Sequence, residues 1–390
     1  MPERILTHTK DLEDFCKLCQ DSPYITVDTE FVREKTYFPH LCLIQIGKPK
    51  TEKSDKMAVA IDPLSEDMNL ACLKDLFFHP DIVKVFHAAR QDLEIMLQLF
   101  DGSVPTPFFD TQIAAMVTGY GDQVGYQSLV KQICNVELDK TNQYTDWSKR
   151  PLTKSQVDYA IADVTYLCEI YETLKSILEK ESRSTWVQEE LEHLCDPAVI
   201  QIEPDQAWQR IKTRLDKPKI LVVLKALAAW REHEAVTLDR PRHFIIKDEA
   251  IVELARQAPK NEKALTDIRG LPEKYKKGER SKGLLKIVKD ALASPKSSWP
   301  KKPRKKSFPQ ELMPAVEMLK MLLKIQAIEH GLVPRLIANQ DDLEDFLLDK
   351  DNPKIMQGWR KEIFGDVAQL MIDGQIALRL KDQKIIQQNV

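Results

Sequence analysis

The stretch YITVDTEFV, Tyr24–Val32, decides how this chain is read. Its β-branched and aromatic residues mark a strand. Side chains alternate along a strand, so Asp28 and Glu30, two apart near its end, point to one face. Two more strand patterns follow at Leu41–Gly47 (LCLIQIG) and Met57–Ile61 (MAVAI). A fourth, Ile82–Phe86 (IVKVF), comes after a helical stretch at Leu70–Phe78. Helical spacing then recurs at Asp92–Phe100, Thr111–Thr118, Leu129–Ile133 and Ser155–Glu179, the last opened by Thr153-x-x-Gln156 in capping-box form. Strands that give way to helices predict an α/β domain, a sheet with helices packed on it, over residues 1–205 with a connecting helix at its end.

From about Ala207 no strand pattern remains. Ile211–Arg231, Glu249–Gln257 and Gly283–Leu292 predict a small all-α domain over residues 207–293. SPKSSWPKKPRKKSFP (Ser294–Pro309) holds four prolines, six basic residues and no acidic one, the composition of a solvated linker, placed at 294–307. Pro314–His330, Gln340–Leu347 and Gly365–Leu380 predict a second all-α domain over residues 308–385.

The length of 390 residues suits such a multidomain plan. Hydrophobic residues at 43% and charged residues at 30% are ordinary for a soluble protein. Twelve glycines disfavour Gly-rich phosphate loops and turn-dense all-β folds. Seven scattered cysteines do not form a disulfide framework, and Cys16-x-x-Cys19 lacks a second pair or a nearby His for zinc. The charged N-terminus is no signal peptide, and Lys225 interrupts the apolar run at Ile220–Leu224, so a cytoplasmic protein without a membrane span is expected.

Four carboxylates stand out. Asp28 and Glu30 end the first strand, Asp92 lies just past His87-Ala-Ala-Arg-Gln, and Asp163 sits one helical turn from Tyr159. Each alone has an ordinary reading, as a solvated strand face, a helix-dipole partner or a surface residue. Together they meet a chemical requirement. Two divalent cations about 3.5–4 Å apart stabilise both the attacking and leaving oxygens of a phosphodiester, and they need hard oxygen ligands from a few carboxylates. Tyr159 beside Asp163 is placed to orient the attacking water.

VDTEF (Val27–Phe31), HAARQDLEI (His87–Ile95) and YAIADVTYL (Tyr159–Leu167) resemble the three exonuclease motifs of the DEDD nucleases, in the tyrosine subclass because of Tyr159. DTEFVREKTYFPHLCLIQIG (Asp28–Gly47) and WSKRPLTKSQVDYAIADVTYL (Trp147–Leu167) resemble the ribonuclease D family specifically. Leu215–Ala293 resembles an HRDC domain, and Phe308–Leu380, with MQGWRKEIFG, resembles a second HRDC-like domain. The resemblance implies a ribonuclease-H-like α/β fold with a mixed sheet, followed by two HRDC-type domains. It further implies a 3′→5′ exoribonuclease acting on tRNA precursors. Asp28, Glu30, Asp92 and Asp163 would then bind two metal ions, Mg²⁺ or Mn²⁺, and Tyr159 would position the nucleophilic water.

Around these five, Phe31 is a candidate for stacking on a terminal base or for the core. His87 is a candidate RNA contact or a satisfied core histidine, and Lys149, Arg150 and Arg90 are candidates for phosphate neutralisation. Asp110 is expected to cap the helix that follows it. Gly278 and Gly283 have Walker spacing, but Leu284-Leu285 follow, so no phosphate loop exists. Two rivals remain: a DNA 3′→5′ exonuclease with the same carboxylates, and an RNA-binding module without activity. A monomer is expected.

The formal charge of −3 hides its distribution. Pro272–Lys306 carries 13 Lys/Arg against 3 Asp/Glu, either a solvated stretch or a phosphate-tracking patch that leads RNA toward the acidic cluster.

Overall fold

The computed structural model describes residues 5–139, 141–143, 145–194, 197–201, 203–301, 308–348 and 353–390. The chain divides into two compact units: residues 1–30, 41–196 and 306–390 form one, and residues 31–40 with 197–305 form the other.

The first unit is built on a six-stranded sheet. Its strands are β1 (Ile5–Leu6), β2 (Tyr24–Val32), β3 (His40–Lys48), β4 (Met57–Ile61), β5 (Val83–Phe86) and β6 (Phe108–Asp110), in the order β1-β4-β3-β2-β5-β6. The sheet is mixed: β3 pairs antiparallel with β4, whereas β1–β4, β2–β5 and β5–β6 are parallel. Helices α1 (Thr9–Cys19), α2 (Leu73–Phe77), α3 (Arg90–Leu99), α4 (Thr111–Val117), α5 (Tyr126–Cys134), α6 (Lys154–Lys180) and α7 (Ser184–Leu194) complete this part of the unit. Strands β1 and β6 are too short to show an alternating pattern. In α1 the pair Cys16 and Cys19 is buried beside Leu12 and Phe15, as its helical spacing predicts. The six described cysteines are free thiols, and Cys195 lies outside the described residues.

The longest helix of the unit is anchored at both ends of its functional segment. Thr153 and Gln156 form the expected capping box at the start of α6. Further along, Thr26 Oγ on β2 donates to the Val164 carbonyl at 2.7 Å. Helix and sheet approach so closely there that a Cβ on Gly47 would run into Thr26 Oγ and lie 2.9 Å from the Val164 oxygen. Only glycine fits, and its small size seats the turn that carries Asp163 directly against the sheet.

Helices at Met313–Glu329, Gln340–Leu347 and Asp366–Ile372 belong to this same unit. Trp359 stacks on Trp186 of α7 with ring centroids 4.9 Å apart. The Arg360 guanidinium donates to Glu190 at 2.6 Å and to the Leu336 carbonyl at 3.2 Å. Arg183 bridges the Val117 and His330 carbonyls at 3.0 and 2.7 Å. One helix differs from expectation. Gly365–Leu380 does not run as one helix: Gly374, at φ +73°, closes it, and Gln375 N–H returns to the Leu370 carbonyl. Ile376–Lys381 and Lys384–Asn389 then form an antiparallel hairpin, turned by Asp382 and Gln383, both at positive φ.

The second unit has its own core. Helix Pro218–Thr237 supplies Leu221, Leu224, Leu227 and Ala228, and helices Asp248–Gln257 and Glu279–Ala293 pack Ile251, Leu254, Leu284 and Val288 against them. The first helix starts at Pro218, later than the periodicity predicts, because proline is favoured in the first helical turn. The unit also takes in the connection after β2. Tyr37 lies in the core, and its hydroxyl and the Arg242 guanidinium both bind the buried Glu232 carboxylate, Arg242 in a fork at 2.6 and 2.5 Å. Asp239 accepts the Tyr37 and Phe38 amides at 3.0 and 3.1 Å. The start of the expected linker is not solvated coil: Lys296–Ser298 is a 3-10 turn, and Trp299 packs on this core. The remaining basic run, 302–307, lies outside the described residues. No helix among the described residues is long and apolar enough to cross a membrane.

Candidate active site

Strand β2 and helix α6 bring Asp28, Glu30 and Asp163 together. One carboxylate oxygen of each lies within 4.8 Å of the others. The strand period places the first two on one face, and the Gly47 contact sets the helix that delivers the third. Asp92 in the first turn of α3 stands next to this trio rather than inside it. Its Oδ1 accepts the Thr29 hydroxyl at 2.5 Å, and the charge of Asp28 acts directly on it.

The electrostatics are severe. Burial pushes all four carboxyl groups above the usual carboxylate range, and repulsion from the neighbouring acids adds to the rise at Asp28, Glu30 and Asp92. The Tyr159 hydroxyl lies within hydrogen-bonding reach of Asp163 and partly offsets the effect there. Among the described residues no Lys or Arg acts on any of the four as a counter-ion. Tyr159 itself is pushed up by burial and by Asp163, so its hydroxyl keeps its proton at neutral pH.

The turn that leads into α3 is held by a residue assigned above only to capping. Asp110 does cap α4, accepting from Gln112 N at 2.8 Å and Ile113 N at 3.4 Å. It also accepts the amides of Ala88 and Ala89 at 3.1 and 2.8 Å. Ala88 sits at φ +58°, a left-handed conformation that a residue with a side chain adopts only when its surroundings enforce it. His87, just before it, binds Thr111 Oγ through Nδ1 at 3.0 Å, and that hydroxyl gives its own proton to the Phe86 carbonyl. Nδ1–H is therefore the donor. Burial lowers the His87 pKa, which keeps the ring neutral. The histidine is thus bonded into the fold, yet its ring also lines the cavity.

That cavity, of about 350 Å³, opens over the cluster and is lined by Asp28, His87, Tyr126, Gln143, Tyr159 and Asp163 among others. Its size suits one nucleotide-scale ligand. Tyr126 is held by a bond from its hydroxyl to the Ala162 carbonyl at 3.0 Å. Sequence patterns assign no role to Tyr126, Gln143 or Thr29, nor the second role to Asp110; Tyr126, Thr29 and Asp110 act through partners distant in sequence.

The surrounding candidates fare differently. Arg150 is not a free cation: its guanidinium makes five hydrogen bonds to protein acceptors. Lys149 is exposed, with Nζ 3.7 Å from Asp146. Phe31 is half-buried and belongs to the second unit.

The donor set fits a divalent cation. Three hard carboxylates converge with no cation beside them among the described residues, and bringing in positive charge relieves both their burial and their mutual repulsion.

Comparison with known proteins agrees with this geometry. Residues 4–179 match the family model described as a 3′-5′ exonuclease, and residues 221–288 match the HRDC domain. The chain is 43% identical to ribonuclease D of Jannaschia sp. over 99% of both chains. It is 41% identical to ribonuclease D of Granulibacter bethesdensis, covering 98% of this chain and 95% of that one. Among solved structures, Escherichia coli RNase D, an exoribonuclease involved in structured RNA processing, superposes with a TM-score of 0.80 at 28% identity, covering 96% of this chain and 99% of that one. Three acids gathered by a strand and a helix of an exonuclease domain, an HRDC match further along the sequence and likeness along the full length lead to one conclusion: this chain belongs to the ribonuclease D family of 3′→5′ exoribonucleases.

Proposed function

We propose that the chain trims the 3′ ends of tRNA precursors and other structured RNAs, hydrolysing one phosphodiester at a time and releasing nucleoside 5′-monophosphates. The observation that carries this reading is the convergence of Asp28, Glu30 and Asp163, with Asp92 adjacent and no counter-ion among the described residues. In this reading Asp28, Glu30, Asp92 and Asp163 hold two divalent cations, Mg²⁺ or Mn²⁺. Such ions, when bound, neutralise the scissile phosphate and make water a stronger nucleophile.

The chain's own groups do the rest. Tyr159, protonated at working pH, gives its hydrogen toward Asp163 and keeps its oxygen lone pairs for the attacking water, which it orients for in-line approach. The cavity walls of Tyr126, Gln143 and His87 enclose the 3′-terminal nucleotide. Residues 207–293 and 308–385 act as HRDC and HRDC-like domains that bind RNA, and the basic stretch Pro272–Lys306 tracks the backbone toward the acidic site. Lys149, exposed, neutralises a phosphate of the substrate, and Phe31 stacks on a base. We place the protein in the cytoplasm as a monomer.

Product analysis on a 3′-extended tRNA tests the reading. Wild type should release 5′-mononucleotides in a Mg²⁺-dependent reaction, and Asp28→Asn should release none. Equal or faster degradation of a matched DNA oligonucleotide would favour the DNA exonuclease instead. Turnover that persists in excess EDTA would refute the metal-dependent mechanism.

A further inference from the structure

The segment Trp147-Ser-Lys-Arg-Pro151 suggested a phosphate contact at Arg150, but every donor of that guanidinium is already committed. Nε and one terminal nitrogen fork onto the Asp62 carboxylate at 2.6 and 2.7 Å. The same terminal nitrogen reaches the Cys42 carbonyl of β3 at 2.7 Å, and the other reaches the Trp147 and Lys149 carbonyls at 2.7 and 2.9 Å. Five donors meet five acceptor contacts, the full capacity of an arginine. Asp62 is 8% exposed in its side chain and accepts in addition from Leu64 N at 2.9 Å, while its own amide donates to Leu6 on β1. One ion pair therefore ties the loop before α6 to the ends of β1, β3 and β4.

That loop bears on the catalytic tyrosine. Trp147, 2% exposed, lies against Tyr159 with ring centroids 6.1 Å apart and planes inclined by 38°. The remainder of the loop is stitched to the first turn of α6: Asn142 Nδ2 donates to Ser155 Oγ at 2.7 Å, and Gln156 Nε2 to Thr145 Oγ at 3.2 Å. Where the Tyr159 hydroxyl points depends on rotation about two side-chain bonds, and the indole is the wall that limits it.

We propose that Arg150, through its fork on Asp62 and its grip on the Trp147 carbonyl, is a positioning residue that holds Trp147 against Tyr159 and so fixes the tyrosine hydroxyl toward Asp163. The inference rests on the water-orienting role given to Tyr159 above. It departs from the phosphate-contact role because an arginine with five internal bonds has no donor left for a substrate.

Arg150→Lys tests it, since lysine keeps the charge but cannot form the fork. Trp147→Phe provides a second variant that leaves the ion pair intact, and melting curves verify that both fold. Each is combined with Tyr159→Phe, and kcat and KM are measured at several salt concentrations. Expected is a fall in kcat of about 10- to 100-fold for each single variant, a cost typical of slight misplacement of a catalytic group. KM and the salt dependence should hold within about twofold of wild type, and neither change should add a further loss on top of Tyr159→Phe. A raised KM with a flattened salt slope would make Arg150 a phosphate contact after all. Full additivity with Tyr159→Phe would overturn the inference and leave the water-orienting role standing. Wild-type kcat for Tyr159→Phe itself would instead overturn the role of the tyrosine, and the inference with it.

Discussion

Two kinds of acid stand out in this molecule, one in each unit, and they are treated in opposite ways. In the second unit Glu232 is 1% exposed, yet the fold supplies what it needs: a forked Arg242 and the Tyr37 hydroxyl. In the first unit Asp28, Glu30, Asp92 and Asp163 crowd together, and among the described residues they receive hydroxyl and amide hydrogen bonds but no cation. An unpaired buried charge costs several kcal/mol, and Asp92 and Asp163 are buried while Asp28 and Glu30 are half-buried, so crowding the four without neutralisation destabilises the fold. The contrast teaches that, among the described residues, the first site carries its acids without the cation that the second supplies. Paired acids hold the structure together; unpaired ones wait for a ligand.

That contrast is sharpest in substitutions that neutralise one acid. Asp28→Asn should lower exonuclease activity on the order of 10³-fold or more, measured by release of mononucleotides. Its metal-free melting temperature should stay level or rise, because one like charge has left the cluster. Glu232→Gln should do the reverse. It leaves Arg242 partly unpaired and should cost about 3 kcal/mol of stability in denaturant titration, with the carboxylate cluster chemically untouched. If Asp28→Asn proved as destabilising as Glu232→Gln, the two kinds of acid would be one kind.

A smaller effect concerns pH. The cluster carboxyls have folded-state pKa values above their unfolded values, so the metal-free folded chain holds more protons than the unfolded chain. Their contribution to stability is therefore greatest below about pH 4, the unfolded range, and declines as pH rises through the elevated folded values. Metal-free protein should lose about 1 kcal/mol or more from this source between pH 5 and 8, and saturating Mg²⁺ should abolish that loss. Thermal melts at several pH values, with and without Mg²⁺, check both halves. Weakest of all should be Glu190→Gln. Glu190 is paired to Arg360 at 2.6 Å, but at 22% exposure the glutamine side chain stays hydrated, and Arg360 keeps its bond to the Leu336 carbonyl and its place over the Trp359 ring, so the cost should stay near 1 kcal/mol.

Much of this was legible in the sequence because it depends on local rules. Strand alternation puts Asp28 and Glu30 on one face, helix periodicity puts Tyr159 a turn from Asp163, and Thr153 with Gln156 announces the helix that bears both. Exceptions arise where long-range packing decides. Arg150 looked like a free cation because its partner Asp62 lies 88 residues away. Residues 308–385 looked like a counterpart of residues 207–293, yet they fold in the same unit as the exonuclease sheet, through the Trp186–Trp359 stack and Arg360. The terminal hairpin hid because Ile376–Leu380 continues an apolar helical pattern, while its real signals, Gly374 and the Asp382–Gln383 turn, are single residues.

Isothermal titration of Mn²⁺ into chelator-stripped protein at neutral pH tests the central claim, that the unpaired carboxylates form a divalent cation site. Wild type should bind the metal with a stoichiometry of two and release protons as it does, and Asp28→Asn should lose most of that heat. Absence of binding to wild type, or an unchanged isotherm in Asp28→Asn, would contradict it.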